Sequence, residues 1–373
     1  LYEPQYAESG EFVGMKVLAE EAPKVVKKRI VEDMEAAYYP TKFVVPYIEI
    51  VHDRAVLELF RGCLRGCRFC QAGMLYRPAR ERSPEKLLQL AKDIIANTGY
   101  NEISLMSLSS ADYSRLPELV DMLMEEFKDK QVSVSLSSLR IDAFSIDIAK
   151  KVQQVRKSGL TFAPEAGSQR MRDVINKGVS EEDLMAACEN AFKSGWNTVK
   201  LYFMMGLPTE TDEDIEAIVG LAERTQAHMA EVGCKGRLTL SINPFIPKPF
   251  TPFQWMAMDN QKTVEKKLQY IKKALQKNRR IEVLVESPKE AYIQGVLARG
   301  DRRLGAVIAA CAADRGSKSF KSEMKAAGLD MDNMNYRERS FDEFLPWSHL
   351  DMGMQEGYLE MEWQRSLDEA YTP

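Results

Sequence analysis

Between residues 55 and 285 the chain alternates short β-rich runs with longer amphipathic helical stretches, and this alternation most constrains its fold. Strands are expected at Ala55–Phe60, Glu102–Ser107, Val132–Leu136, Leu160–Ala163, Thr198–Met204, Leu238–Ile242 and Ile281–Val285. Helices are expected at Ser83–Asn97, Leu116–Lys128, Phe144–Lys157, Ser180–Ser194, Thr211–Val232 and Asn260–Gln276. Ser83 before Pro84 reads as an N-cap followed by a first-turn proline. Strands separated by helices of this length mean repeated βαβ units and a parallel sheet. The expected fold class is α/β, a partial (β/α)6 TIM-like barrel over 55–285, with a closed eight-fold barrel as the alternative. Either barrel places its reactive residues on the loops at the C-terminal strand ends.

The flanks read differently. Residues 1–54 form an N-terminal extension, with a helix expected over Glu20–Ala37 and a hairpin of Val45–Val51 with Ala55–Phe60, turning at His52–Arg54. Residues 286–373 are expected to be a C-terminal helical cap or docking region, holding the basic knot Arg299–Arg303 and the aromatic stretch Phe341–Trp347. Charged residues make up 28% of the chain and the formal net charge is −4. That balance argues against a sequence-independent grip on nucleic acid across the whole surface. No apolar run has the length a membrane span needs. With no secretory leader and no disulfide framework, the expected compartment is the reducing cytoplasm.

Directly after the first strand comes Phe60-Arg-Gly-Cys-Leu-Arg-Gly-Cys-Arg-Phe-Cys-Gln71, which places Cys63, Cys67 and Cys70 within eight positions. A structural zinc site needs a fourth Cys or His at ligand spacing, and none follows. Cys188, Cys234 and Cys311 are isolated from one another. An ordinary four-iron electron carrier supplies four thiolates; three leave one iron open, and an open position marks chemistry rather than structure. Arg61, Arg65 and Arg68 surround the cysteines and would favour thiolate over thiol, or contact an anionic substrate.

This C-x3-C-x2-C loop resembles that of the radical S-adenosylmethionine (radical SAM) superfamily. The resemblance implies a [4Fe-4S] cluster on Cys63, Cys67 and Cys70. It implies SAM on the open iron, cleaved by one electron to methionine and a 5′-deoxyadenosyl radical. Phe69 then takes the position of an aromatic that flanks adenine. Ser107 and Ser109 stand where the family often carries a Gly-Gly-Glu type motif, from which this chain departs. Ser137, Arg140 and Glu165 resemble positions that hold the SAM carboxylate and ribose in the methylthiotransferase-like branch, unless Arg140 and Glu165 simply pair with each other. Met204 precedes the Gly206-Leu-Pro-Thr-Glu-Thr211 turn, which recurs in that branch, and would lie near adenine. Gly167-Ser168 opens a helix whose free N–H groups suit an anion. Phe250, Phe253 and Trp255, on the proline-rich loop after Pro244, either line a substrate pocket or seal a core edge.

Tyr39–Lys42, Pro46–Asp53, Gly73–Pro78, Gly159–Gly167 and Leu345–Trp347 are similar to strings of an uncharacterised bacterial radical SAM family. Its members carry an upstream domain like a cobalamin-binding fold. They stand beside a small companion domain, near genes for ribonuclease and ribosomal proteins. Cobalamin is therefore expected only where such an upstream domain is supplied. The resemblance also implies a one-electron reductant such as flavodoxin or ferredoxin, and an RNA or ribosomal substrate. A methylthiotransferase needs a second cluster, for which the scattered Cys188, Cys234 and Cys311 are unsuited. The alternative class is a non-catalytic iron–sulfur scaffold that binds RNA or a protein partner.

Overall fold

The computed structural model describes the chain except residues 49, 137–140, 142–147, 149–150, 152–159, 314–318 and 373. Among the described residues, seven parallel strands carry the central unit. Ala55–Glu58, Glu102–Met106 and Ser133–Leu136 form one sheet, paired in chain order. Leu160–Glu165, Thr198–Met205, Arg237–Pro244 and Ile281–Val285 form a second, again in chain order. This is the expected mixed α/β architecture, a partial TIM-like barrel.

Each strand keeps a period of two. On Thr198–Met205 the buried residues are Val199, Leu201, Phe203 and Met205. They join Leu184, Ile215, Ile218, Leu221 and Leu268, from the helices, in one core. Alternate side chains point to opposite sheet faces, so Lys200, Tyr202 and Met204 face the other way. Leu160–Glu165 behaves alike, with Phe162 fully buried among the helices. A smaller core under the first sheet unites Leu57, Ile103 and Leu105 with Leu87, Ile94, Leu119 and Leu123.

Capping side chains start the helices where expected. Ser83 Oγ accepts the Lys86 N–H at 3.1 Å, and Ser180 and Thr211 form capping boxes with Asp183 and Asp214. Asn260 Oδ1 accepts from Thr263 N–H at 3.0 Å. The helix expected at Phe144–Lys157 falls almost wholly on residues outside those described.

The N-terminal extension departs from expectation. Tyr2–Tyr6 and Phe12–Val17 pair as an antiparallel hairpin. Glu20–Ala37 is not helical. Pro23 lies inside that span, and proline in a helix interior removes a backbone bond and clashes with the preceding turn. The segment's polar groups serve the barrel instead. Glu35 accepts the Ser83 N–H at 2.9 Å and its hydroxyl at 2.6 Å. Lys28 Nζ donates to the carbonyls of Leu75 and Arg77 at 2.9 and 2.8 Å. Val26–Lys27 pairs with Leu350–Asp351 of the C-terminal region. Nor do the described residues of Val45–Val51 form a strand. Ala55–Glu58 takes a parallel partner in Glu102–Met106, so the hairpin through His52–Arg54 is not made.

Beyond Val285 lie short helices, among them Pro288–Arg299, Leu304–Ala313 and Tyr358–Leu367. The proline-rich loop closes on this region. Phe253 and Trp255 are buried, and Phe250 lies 6.4 Å from the Trp347 ring. These aromatics seal a core edge.

Candidate functional site

The cysteine loop leaves the first barrel strand through Gly62, at φ +99°. A Cβ there would meet the carbonyl oxygens of Pro78 and Tyr76 at 2.5 and 2.7 Å, so only glycine makes this turn. None of these three cysteines is in a disulfide. Cys63 Sγ accepts the Arg65 N–H at 3.4 Å. Cys70 caps the helix Gln71–Leu75, its Sγ accepting the Gly73 N–H at 3.3 Å. Burial pushes the Cys70 thiol pKa up, and the neighbouring Cys67 and Cys63 push it the same way; the Gly73 N–H and Lys177 pull it down.

Cys63, Cys67 and Cys70 line a cavity of about 420 Å³. The same cavity is lined by Phe69, Ser109 and Glu165, together with Arg65, Thr161, Lys177 and Tyr202. Thr161, Ala163 and Glu165 are the alternate residues of one strand, which explains their shared wall. Glu165 holds φ +68°, a left-handed conformation that costs a non-glycine residue energy and clusters at functional sites.

Ser107 and Met204 are not brought to this wall. Ser107 Oγ accepts the Ser109 N–H at 3.2 Å and meets Ser110 Oγ at 3.1 Å, turning back on its own loop. Met204 packs against the apolar group around Met171, Ile175 and Phe253. Ser137 and Arg140 lie outside the described residues. Glu165 has Lys177 as its partner, Nζ to Oε1 at 3.1 Å. Lys177 Nζ also stands 5.8 Å from the centre of the Phe69 ring. No motif singled out Lys177; it follows a short helix and reaches the thiols only through the fold. At Gly167-Ser168 the helix start is already used: Ser168 Oγ accepts from Met171 N–H at 3.1 Å and donates to Asp214 at 2.6 Å.

The loop arginines are paired rather than aimed at sulfur. Arg61 chelates Glu58 through two bonds of 2.8 Å. Arg65 chelates Asp112, with Nε to Oδ2 at 2.9 Å, and Ser109 donates to the same carboxylate at 2.6 Å. Arg68 is fully buried, 0% exposed, and bonds Glu362 at 2.9 Å. Its remaining N–H groups go to the carbonyls of Asp173, Val174 and Ala370 and to Thr372 Oγ1, at 2.8 to 3.1 Å. All five guanidinium donors are thereby satisfied, and the loop is fixed to the C-terminal helix. Nothing in the loop's own sequence identifies Glu362, 294 positions away.

Comparison with known proteins is decisive at this point. Residues 57–222 match the model of the radical SAM superfamily. Residues 57–222 are a radical SAM domain. The chain is 36% identical over 306 residues to an uncharacterised protein of Methanocaldococcus jannaschii, covering 79% of this chain and 65% of that one. It is 24% identical over 192 residues to a tRNA-2-methylthio-N(6)-dimethylallyladenosine synthase of Thermotoga petrophila, covering 49% and 43%. Among solved structures it is similar to Streptococcus suis SuiB bound to S-adenosylmethionine, with TM-score 0.43, 10% identity and coverage of 65% and 52%. The chain thus spans about two thirds or less of the length of these curated relatives.

A radical SAM domain implies a four-iron cluster and SAM. The donor set fits that cluster: three cysteines on one loop, outside any disulfide and lining one cavity, two of them accepting backbone N–H bonds. Among the described residues no three Cys, His, Asp or Glu side chains close on a single ion. A cluster does not ask for that, since each thiolate takes a different iron.

Proposed function

We propose that this chain is a catalytic radical SAM enzyme acting on an RNA substrate. The observation that carries this reading is the sharing of one cavity by Cys63, Cys67, Cys70, Glu165, Ser109 and Phe69. Cys63, Cys67 and Cys70 would hold the cluster. With cluster and SAM bound, the site supplies one-electron cleavage of SAM to methionine and a 5′-deoxyadenosyl radical. Glu165, set by Lys177, offers a carboxylate to hydroxyl groups of the nucleoside. Phe69 offers a ring face for the base, and its contact with Lys177 fixes the ring's orientation. Arg65 and Asp112 hold Ser109 against the cavity.

The RNA substrate is supported by the likeness to a tRNA-modifying synthase. A second cluster is not part of the proposal, because Cys188 and Cys234 are buried in the second-sheet core and Cys311 packs against a separate group. Burial pushes the Cys188 thiol up to about 12. A flavodoxin- or ferredoxin-type reductant and a companion domain are the expected partners. No helix among the described residues is long and apolar enough to cross a membrane. An oxygen-sensitive cluster suits the cytoplasm.

The test is anaerobic reconstitution with iron and sulfide, then dithionite and SAM, with 5′-deoxyadenosine as the readout. Product is expected from the native chain and none from Cys67→Ala. A spectroscopically intact four-iron cluster that neither binds nor cleaves SAM would overturn the catalytic reading and favour a scaffold.

A further inference from the structure

A second cavity, of about 460 Å³, shares no lining residue with the thiol cavity. Its walls are the turn of the N-terminal hairpin, the end of helix Pro288–Arg299, the Gly328–Asp330 loop and segment 337–346. Arg299 and Arg339 both line it, and they are 1% and 9% exposed. Arg299 Nε donates to the Met334 carbonyl at 2.8 Å, and its Nη2 to that of Arg337 at 3.4 Å. Arg339 Nη2 donates to the Arg299 carbonyl at 2.9 Å, and its guanidinium stands 5.4 Å from the centre of the Trp347 ring.

The remaining donors have no such outlet. Arg299 Nη1, Arg339 Nε and Arg339 Nη1 are shielded from solvent and lack a hydrogen-bond partner among the described residues. The cavity's carboxylates are engaged elsewhere. Asp301 bonds Arg303 at 2.6 Å and Tyr6 at 3.2 Å. Glu343 chelates Arg337 through two bonds of 2.7 Å, and Glu11 lies 3.7 Å from the same guanidinium. Asp330 caps the helix Met331–Tyr336 through the N–H groups of Asp332 and Asn333, at 2.9 and 3.0 Å. Two buried like charges therefore adjoin one space, and among the described residues no carboxylate stands at ion-pair distance from either, Glu343 acting on both from further off. Burial, reinforced by neighbouring arginines, pushes Arg299 down to about 9; burial pushes Arg339 down to about 10. Both stay charged at neutral pH. A neutral water would do nothing to relieve two buried like charges.

We propose that this cavity binds a phosphate-bearing small molecule, its phosphate held between Arg299 and Arg339. A guanidinium presents forked donors that match phosphate oxygens, and a dianion offsets both charges at once. The cavity has the size of a small-molecule site rather than of a lone ion. Phe12, Leu329, Met334 and Pro346 give it an apolar remainder. The site is independent of the cluster and of the reaction proposed for it.

The test uses the full chain without reconstitution, so it stands whether or not the radical chemistry does. Thermal unfolding is followed against inorganic phosphate and ribose 5-phosphate, with chloride at matched ionic strength as the reference. A saturable rise in melting temperature is expected with both probes, larger with the ester, and none with chloride. Arg339→Gln should abolish the rise and Arg339→Lys should weaken it, while Arg65→Gln, at the thiol cavity, should leave it intact. Trp347 fluorescence should respond to phosphate in the native chain, and the response should vanish in Trp347→Phe. The Trp347 readout on the native chain stands even where an Arg339 variant fails to fold. No saturable response to either probe would overturn the proposal. So would a phosphate response that survives Arg339→Gln.

Discussion

Replacing Arg68 by lysine keeps the charge facing Glu362 and changes only the number and geometry of donors. Arg68 makes five hydrogen bonds, one for each guanidinium N–H. A lysine has three N–H donors on one nitrogen, so at least two of the five acceptors are stranded. The acceptors flank the guanidinium from the Asp173–Val174 side and from the Ala370–Thr372 side, and a single ammonium cannot serve both. Hydrogen bonds involving a charged group are worth about 1.5–3 kcal/mol each. Two lost bonds at the low end give about 3 kcal/mol, a large share of a total stability of about 5–15 kcal/mol. The loss should appear in urea unfolding of the metal-free chain as a lowered midpoint at unchanged slope. The same variant should take up less iron and sulfide, because Arg68 sits between Cys67 and Cys70. A midpoint unchanged from that of the native chain would show that the five bonds do not hold the loop, and the account of its rigidity would fail.

Other expected outcomes follow from the same contacts. Gly167→Ala would set a Cβ 2.2 Å from the Ile218 nitrogen, backbone that cannot rotate away; a stability loss of about 3 kcal/mol, at the high end for overpacking, is expected in a denaturant melt. Lys177→Met leaves Glu165, a carboxylate only 15% exposed, without its cation. The expected loss is about 1–2 kcal/mol, partly restored by adding Glu165→Gln, as a double-mutant cycle would measure. Asp214 is held below its ordinary pKa: burial opposes this, but hydrogen bonds from Arg170, Ser168 and Thr211 prevail. Its contribution is present in full above the unfolded-state pKa of about 3.9 and lost as pH falls through the lower folded value. Asp214→Asn should therefore flatten the acid limb of the stability profile, with little further change in slope above about pH 5.

What could be read from the chain was whatever depends on near neighbours. The βα alternation, the helix starts at Ser83, Ser180, Thr211 and Asn260, and the cysteine spacing are all written within a few residues. The misreading of Glu20–Ala37 has the same root. Its charge pattern suits a helix, and only contacts with Ser83, Leu75 and Leu350 show where those side chains go. Glu165 was singled out by resemblance, and strand alternation brings it to the cavity of the cysteines; what a distant partner carries was illegible. Ser107 and Met204 were placed by resemblance to family motifs, which says where along the chain a residue stands but not whether its loop turns back. Lys177, Glu362 and Thr372 carry no local mark.

The last of these residues alters how the C-terminal region is understood. Thr372 N–H donates to Asn176 Oδ1 at 2.8 Å, and Asn176 Nδ2 donates to the Gly66 carbonyl at 3.1 Å, inside the cysteine loop. Tyr371 fills the space beside Gly178, where a Cβ would meet its hydroxyl at 2.8 Å. Tyr371 and Thr372 thus brace the loop that carries the thiols. Deleting residues 369–373 removes both partners of Arg68 Nη2, and it also admits water to the freed donors. The cost then becomes that of net hydrogen bonds, about 1 kcal/mol each, or about 2 kcal/mol for Arg68. The deletion should accordingly be milder in a urea melt than Arg68→Lys, whose stranded acceptors stay buried. It should still lower iron uptake, because Asn176 is released from Thr372 and Gly66 loses support. A deletion variant that melts lower than Arg68→Lys would mean that the tail stabilises the barrel broadly. One that loads iron like the native chain would mean that Asn176 and Glu362 hold the loop without it.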